Sequence, residues 1–202
     1  MRLRHLLLIA TVLFCPAISH AVTCSVSNVQ PINLGSVNPL SATGATSSMT
    51  FNYTCTKELG DALAGINLCF NIGASAVSGQ VTPRNMSLSG TPASTLAYQL
   101  YQDAGHTKVW GSQYQSGTTF PMVQLNLLNL TPVTGSLTVS AQIVTPQTAA
   151  VPGNYQDSYT TATALVTLNP GLLFPPTTCG DTVAARLPFT VSATVSKQCN
   201  IT

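Results

Sequence analysis

Apolar and polar residues alternate along most of this chain, and no long stretch repeats every 3.6 residues. Met49, Phe51, Tyr53 and Cys55 alternate with Thr50, Asn52 and Thr54. Ile66, Leu68, Phe70 and Ile72 alternate with Asn67, Cys69 and Asn71. Leu96 to Tyr101 reads as a strand that ends at Asp103-Ala104-Gly105. The same period runs through Leu137 to Ile143, Ala162 to Leu168 and Leu187 to Val195. With the segment after Cys24 this makes at least seven strands, separated by turn residues. A side chain every second residue on one face is what a half-buried sheet requires, so the chain is all-β. Seven short strands with such turns predict an immunoglobulin-like β-sandwich.

If those strands run alternately up and down, the connections after the second, fourth and sixth share one pole. Each is apolar. The first holds Leu59, Ala62, Leu63 and Ala64. The second holds Phe120, Pro121, Met122, Val123, Leu125, Leu127, Leu128 and Leu130. The third is Leu172-Leu173-Phe174-Pro175-Pro176-Thr177-Thr178, preceded by Asn169-Pro170-Gly171. That density of proline and glycine excludes a central strand and argues against a helix, so Leu172 to Thr178 reads as a surface loop. Such a loop either presents its large side chains for contact or folds back and buries them. Val123, Leu125 and Leu127 alternate, which also fits a core strand.

Met1 to Ala21 has the layout of a signal peptide. Arg2 and Arg4 are followed by the apolar run Leu6 to Ala17 and by Ser19-His20-Ala21, an A-x-A-like cleavage site. Phe14 before Cys15 is too large for a lipoprotein site. Cleavage after Ala21 removes two of the seven basic residues (7 − 2 = 5), which leaves five acidic and five basic, a net charge of zero. Only 6% of residues are charged, which excludes the clustered Lys and Arg of a nucleic-acid binder.

Five cysteines remain of the six (6 − 1 = 5): Cys24, Cys55, Cys69, Cys179 and Cys199. An exported chain of this kind forms disulfides, and an odd count leaves one without a partner. Of the three pairings open to the first four, Cys24–Cys55 and Cys69–Cys179 are expected. The second would stiffen the base of the Leu172–Thr178 loop.

The acids Glu58, Asp61, Asp103, Asp157 and Asp181 are scattered, and no H-E-x-x-H, G-x-S-x-G or Cys/His metal spacing occurs. No enzyme, cofactor or metal is therefore expected. His106, in the turn-like Ala104-Gly105-His106, is expected on the surface, and Trp110 in the core. Tyr155 and Asp157 fall where a tyrosine corner would.

Arg84-Asn85-Met86-Ser87-Leu88-Ser89-Gly90, then Leu96 to Gly111, then Pro152 to Tyr159 occur in this order. These stretches resemble the spore coat protein U domain, the subunit family of archaic chaperone–usher pili such as Csu pili. The matched residues are Arg84, Met86, Tyr98, Leu100, Tyr101, Asp103, Trp110, Gly111, Gly153, Tyr155 and Asp157. The resemblance implies a pilin-type sandwich that lacks a strand and is completed by a neighbouring subunit's donor segment. Two features depart from the ordinary subunit. Only Val22 and Thr23 separate the expected cleavage site from Cys24, which leaves no donor segment, and Leu187 to Val195 could complete the domain from within.

The resemblance therefore points to the two-domain tip adhesins of this pilus class, whose first domain attaches cells to surfaces through hydrophobic loops. It implies a signal peptide (1–21), an adhesin domain (22–197) and the start of a second pilin domain (198–202), where Cys199-Asn200-Ile201-Thr202 echoes Cys24-Ser25-Val26-Ser27. A periplasmic chaperone, an outer-membrane usher and an adjacent pilin subunit are the implied partners. Abiotic or hydrophobic surfaces are the implied targets, and the pilus tip at the cell surface is the implied location. A structural shaft or adaptor subunit is the alternative.

Overall fold

A computed structural model of the chain describes residues 22–59, 65–89 and 91–197. The expected signal peptide (1–21), the start of a second domain (198–202) and the residues Ala62, Leu63 and Ala64 lie outside them. Among the described residues twelve strands form: β1 (Thr23–Ser27), β2 (Ile32–Val37), β3 (Thr46–Thr56), β4 (Gly65–Ile72), β5 (Arg84–Leu88), β6 (Thr91–Tyr101), β7 (Met122–Asn126), β8 (Val133–Ile143), β9 (Gly153–Tyr159), β10 (Ala164–Gly171), β11 (Thr182–Arg186) and β12 (Phe189–Val195). One sheet has eight strands in the order β1-β3-β8-β6-β5-β9-β12-β2, and the other has four in the order β11-β10-β4-β7. Their inner faces pack as an immunoglobulin-like sandwich. The core draws Phe51, Tyr98, Val139, Tyr155 and Val191 from the first sheet and Leu68, Phe70 and Val166 from the second. Trp110 is buried between them, 6.4 Å from Phe51 by ring centroids, and donates Nε1–H to Phe70 O at 2.9 Å.

Each expected strand is present. The sixth starts at Ala164, because Thr160 to Thr163 form a turn that leaves Ala162 exposed. Pro170 and Gly171 extend β10, a correction to the loop expected there. Pro170 pairs with Ile66 of β4, but the pairing with β11 stops at Leu168, so its missing N–H breaks no ladder on that side. β2, β5, β9 and β11 are additional.

β12 is the closing strand. It runs antiparallel to β9 along its length and parallel to β2 on the other side, where Val191 faces Ile32 and Val195 faces Val37. Phe189, Val191, Ala193 and Val195 are buried there. The sandwich is thus completed by the chain's own last strand.

Both cysteine pairs form as expected, Cys24–Cys55 between β1 and β3 and Cys69–Cys179 between β4 and the segment after β10. That segment folds over Asn67 and Cys69 on the outer face of the four-stranded sheet, while Ser112 and Gln113 cover Asn71, so every residue of β4 is buried.

The apolar pole, a candidate surface-contact site

Gly65 opens β4 opposite both Gly171, the last residue of β10, and Asn126, the last of β7. Cys55, near the end of β3, faces Val133 at the start of β8. The loops after β3, β7 and β10 therefore leave the sandwich at one pole. Among the described residues, that pole carries Leu59, Leu128, Leu130, Leu172, Leu173 and Phe174. Their exposures are 88%, 78%, 51%, 66%, 73% and 79%. Single exposed hydrophobes are common, but six on three converging loops are not.

The loop after β10 is anchored by its backbone while its side chains face outward. Cys179 ties its base to β4. Asn67 Nδ2 and Asn169 Nδ2 each donate to Thr178 O at 3.0 Å. Gln124 Nε2 donates to Pro176 O at 2.8 Å. Gly65 and Gly171 let the chain approach closely, since a Cβ on Gly65 would overlap the Phe174–Pro175 peptide and one on Gly171 would overlap the Phe174 carbonyl. Pro175 and Pro176 are half-buried and hold the turn. A pinned backbone lowers the ordering entropy lost when the side chains make contact.

The loop expected between the fourth and fifth predicted strands needs correction. Leu125 and Leu127 are buried and Val123 is half-buried, because β7 pairs with β4 and its alternate residues turn inward beside Ile66 and Leu68. Phe120, Pro121 and Met122 lie down the flank of the sheet. Pro121 O accepts from Phe70 N at 3.0 Å and Met122 faces Cys69, away from the Gly65 end. Phe120 and Pro121 are half-buried, and Met122 is exposed. Asn67, Gln124, Asn169 and Gly65, which seat the loop, were not singled out from the sequence. The polar face of two adjacent strands was the available signal.

Most residues matched to the family motifs sit elsewhere, in the interior, while Tyr101, Asp103 and Gly153 are half-buried. Arg84 is buried and donates from Nη1 to Gln99 Oε1 at 2.7 Å, and from Nη2 to Ile72 O and Gly73 O at 3.0 Å and Trp110 O at 2.7 Å. Tyr98 OH donates to the buried Asp157 Oδ2 at 2.6 Å and lies 2.7 Å from Tyr159 OH. Burial, reinforced by each other's and Asp157's charge, pushes the Tyr98 phenol far above its ordinary range, and burial raises Tyr159. Tyr155 OH donates to Val151 O at 2.8 Å, a tyrosine corner. Asp103 caps its turn by accepting from Thr107 N and Lys108 N, which holds its carboxyl below the usual range. His106 is half-buried rather than solvated, with its ring 5.0 Å from that of Tyr101.

No curated protein matches the chain. Among solved structures it is similar to CfaE, the adhesive subunit of CFA/I fimbria of enterotoxigenic Escherichia coli. The identity is 14% and the TM-score 0.38, over 84% of this chain and 50% of that one. It is similar to the CupB6 tip adhesin from Pseudomonas aeruginosa, with 13% identity and a TM-score of 0.38 over 87% of this chain and 43% of that one. It is also similar to the CssB subunit complemented with a donor strand from CssA, of enterotoxigenic Escherichia coli colonization factor CS6. Here the identity is 16% and the TM-score 0.33, over 86% of this chain and 97% of that one. The chain spans half the length of CfaE and less than half that of CupB6. The sequence model of the spore coat protein U domain matches residues 10–162, most of the chain. The chain belongs to the spore coat protein U domain family.

Proposed function

We propose that this protein is the tip adhesin of a chaperone–usher pilus and attaches cells to hydrophobic surfaces through the apolar pole, as a first step of biofilm formation. The observation that carries the reading is the exposure of Leu172, Leu173 and Phe174 on a loop whose backbone is fixed by Cys179, Asn67, Asn169 and Gln124. The exposed leucines of the two neighbouring loops extend the patch. Burying about 300 Å2 of such surface contributes roughly 7 kcal/mol before the entropy of association is subtracted. Many tips per cell turn that modest contact into avidity. The Leu172–Thr178 loop carries no charged residue, so contact through it desolvates no ion.

A self-completed sandwich suits a subunit that receives no donor strand. β12 runs away from the apolar pole, so a second domain following it would join the pilus at the opposite end. The periplasmic chaperone, the usher and the adjacent subunit would act there. The family and this site describe a structural, adhesive protein and not an enzyme.

The test compares wild-type cells with cells carrying Leu172→Ser, Leu173→Ser and Phe174→Ser together. Adhesion to polystyrene is measured, and pilus number is counted by electron microscopy. With pili present in normal number, adhesion is expected to fall roughly tenfold or more. Unchanged adhesion by normally piliated cells would overturn the reading.

A further inference from the structure

β8 is 11 residues long, but β6 covers only its last part. Their pairing runs from Tyr98 opposite Ile143 to Tyr101 opposite Ser140. It stops there because the chain turns back beyond Tyr101, where Gln102 N donates to Lys108 O at 2.8 Å. On its other side β8 pairs with β3 up to Val133 opposite Cys55. Among the described residues no strand pairs with residues 133–139 on the β6 side. Burial changes at the same point. Val139, Ser140 and Ala141 are buried, whereas Leu137 is half-buried although its β3 neighbour Phe51 is fully buried. Successive residues of an antiparallel strand send their N–H and C=O groups to opposite sides. Val144 N donates to Ala97 O at 3.0 Å on the β6 side, and Ile143 N to Ala45 O at 2.9 Å on the β3 side. No register shift interrupts either ladder, so Thr134, Ser136 and Thr138 turn their backbone groups to the open side. Exposed strand edges are normally guarded by a charge, a proline or a bulge. Residues 133–139 contain none of these, whereas the edge strand β11 has Arg186 and a register shift.

We propose that this open edge of β8 pairs with the same edge of a second copy of the chain, about a twofold axis at Ser136. The open stretch of residues 133–139 is centred on Ser136, so the register matches itself. Ser136 then opposes Ser136 of the second copy, and Thr134 opposes its Thr138. All three outward-turned backbone positions exchange hydrogen bonds in that register. Cross-strand hydroxyls already meet in this way within the fold, where Thr50 Oγ1 and Thr138 Oγ1 lie 2.7 Å apart. On the inward face Gly135 opposes Leu137 of the second copy, a small residue against a large one. β7, the free edge strand of the smaller sheet, is the poorer candidate. The same arrangement centred on Gln124 would oppose Met122 to Asn126. The twofold axis reverses the strand direction, so the two apolar poles point opposite ways. In the tip-adhesin reading such a contact joins pili that meet head-on, and many weak contacts act together. The pairing itself does not rest on that reading, since it uses none of the six exposed residues of the pole.

The experiment is sedimentation equilibrium of the full chain with both disulfides formed. It is run on the variant with Leu172→Ser, Leu173→Ser and Phe174→Ser, in which the pole no longer drives association. A reversible monomer–dimer equilibrium is expected below about 1 mM, the weak end of the affinity scale. Ser136→Lys and Ser136→Glu change an exposed side chain and are expected to keep the circular dichroism spectrum. Each places like charges opposite one another and is expected to weaken the dimer at least about tenfold. An equimolar mixture of the two is expected to restore it to within about threefold of the unsubstituted edge. Three outcomes would overturn the proposal: no dimer, an undiminished dimer in either charged variant, or a mixture no better than its components. A chain that stays monomeric yet binds a synthetic peptide of residues 133–139 would give the edge to an extended segment of another protein, and would overturn the pairing of copies as well. The pole is substituted throughout, so the outcome is independent of adhesion to polystyrene, and failure here and failure of the adhesion reading are told apart.

Discussion

Arg84 and Asp157 are both buried, and two tyrosine hydroxyls stand between them. Asp157 accepts from Tyr98, Tyr98 meets Tyr159, and the Arg84 guanidinium lies 5.9 Å from the centre of the Tyr159 ring. Tyr98→Phe removes the hydroxyl that links the two halves and leaves a buried carboxylate with one donor fewer. A loss of about 2–3 kcal/mol is expected, measured by urea denaturation. The same residues set an alkaline limit. A phenol held protonated in the folded state stabilises fully below its unfolded value of about 10, and that contribution is lost as pH rises through its folded value. Tyr98 and Tyr159 are both raised, so stability is expected to decline above about pH 10, and Tyr98→Phe to soften the decline. Alternation alone could not assign Arg84 or Asp157 to the interior, because a charge on the inward face breaks the pattern. That is why β5 and β9 were not read as strands, although the family motifs run through both. Trp110 carried no such conflict and is buried as expected.

The loop after β10 shows what an element can hide from its sequence. Its proline content marked it as a loop, but only the register of β4 shows where it sits. Gly65 faces the end of β10 on one side and the end of β7 on the other. Gly65→Ala is expected to lift the Phe174–Pro175 peptide off the sheet, so adhesion to polystyrene falls while the circular dichroism spectrum is kept. Replacing Cys69 and Cys179 together by alanine opens a link across 110 residues, which by loop entropy stabilises by about 4–5 kcal/mol. The urea midpoint is expected to fall accordingly, with the loop losing amide-exchange protection first. The segment Val123 to Leu127 carried two readings in the sequence, loop or core strand. Pairing with β4 decided for the strand, which moved Leu125 and Leu127 from the pole to the core.

Seen whole, the eight-stranded sheet begins with β1 and ends with β2, which are consecutive pieces of chain joined by Asn28 to Pro31. One short N-terminal stretch therefore holds both margins of the sheet, and β12 lies inside it. A chain ending before Phe189 is expected to remain unfolded alone and to fold when a peptide of residues 187–197 is added, followed by tyrosine fluorescence. The intact chain should not bind that peptide. The sandwich class and this last strand were legible because both rest on simple alternation. The course of β2 was not, since Gly35 with φ of 70° interrupts its pattern. The orientation of β12 has a mechanical meaning. A pull between the loop after β10 and residue 197 runs along β12, across hydrogen bonds to β9 and β2 that must all shear together, while the Cys69–Cys179 link keeps the loop from being drawn out. Under the adhesin reading proposed above, a load along this axis is expected to release the water-excluding contact with the surface before it unfolds the domain.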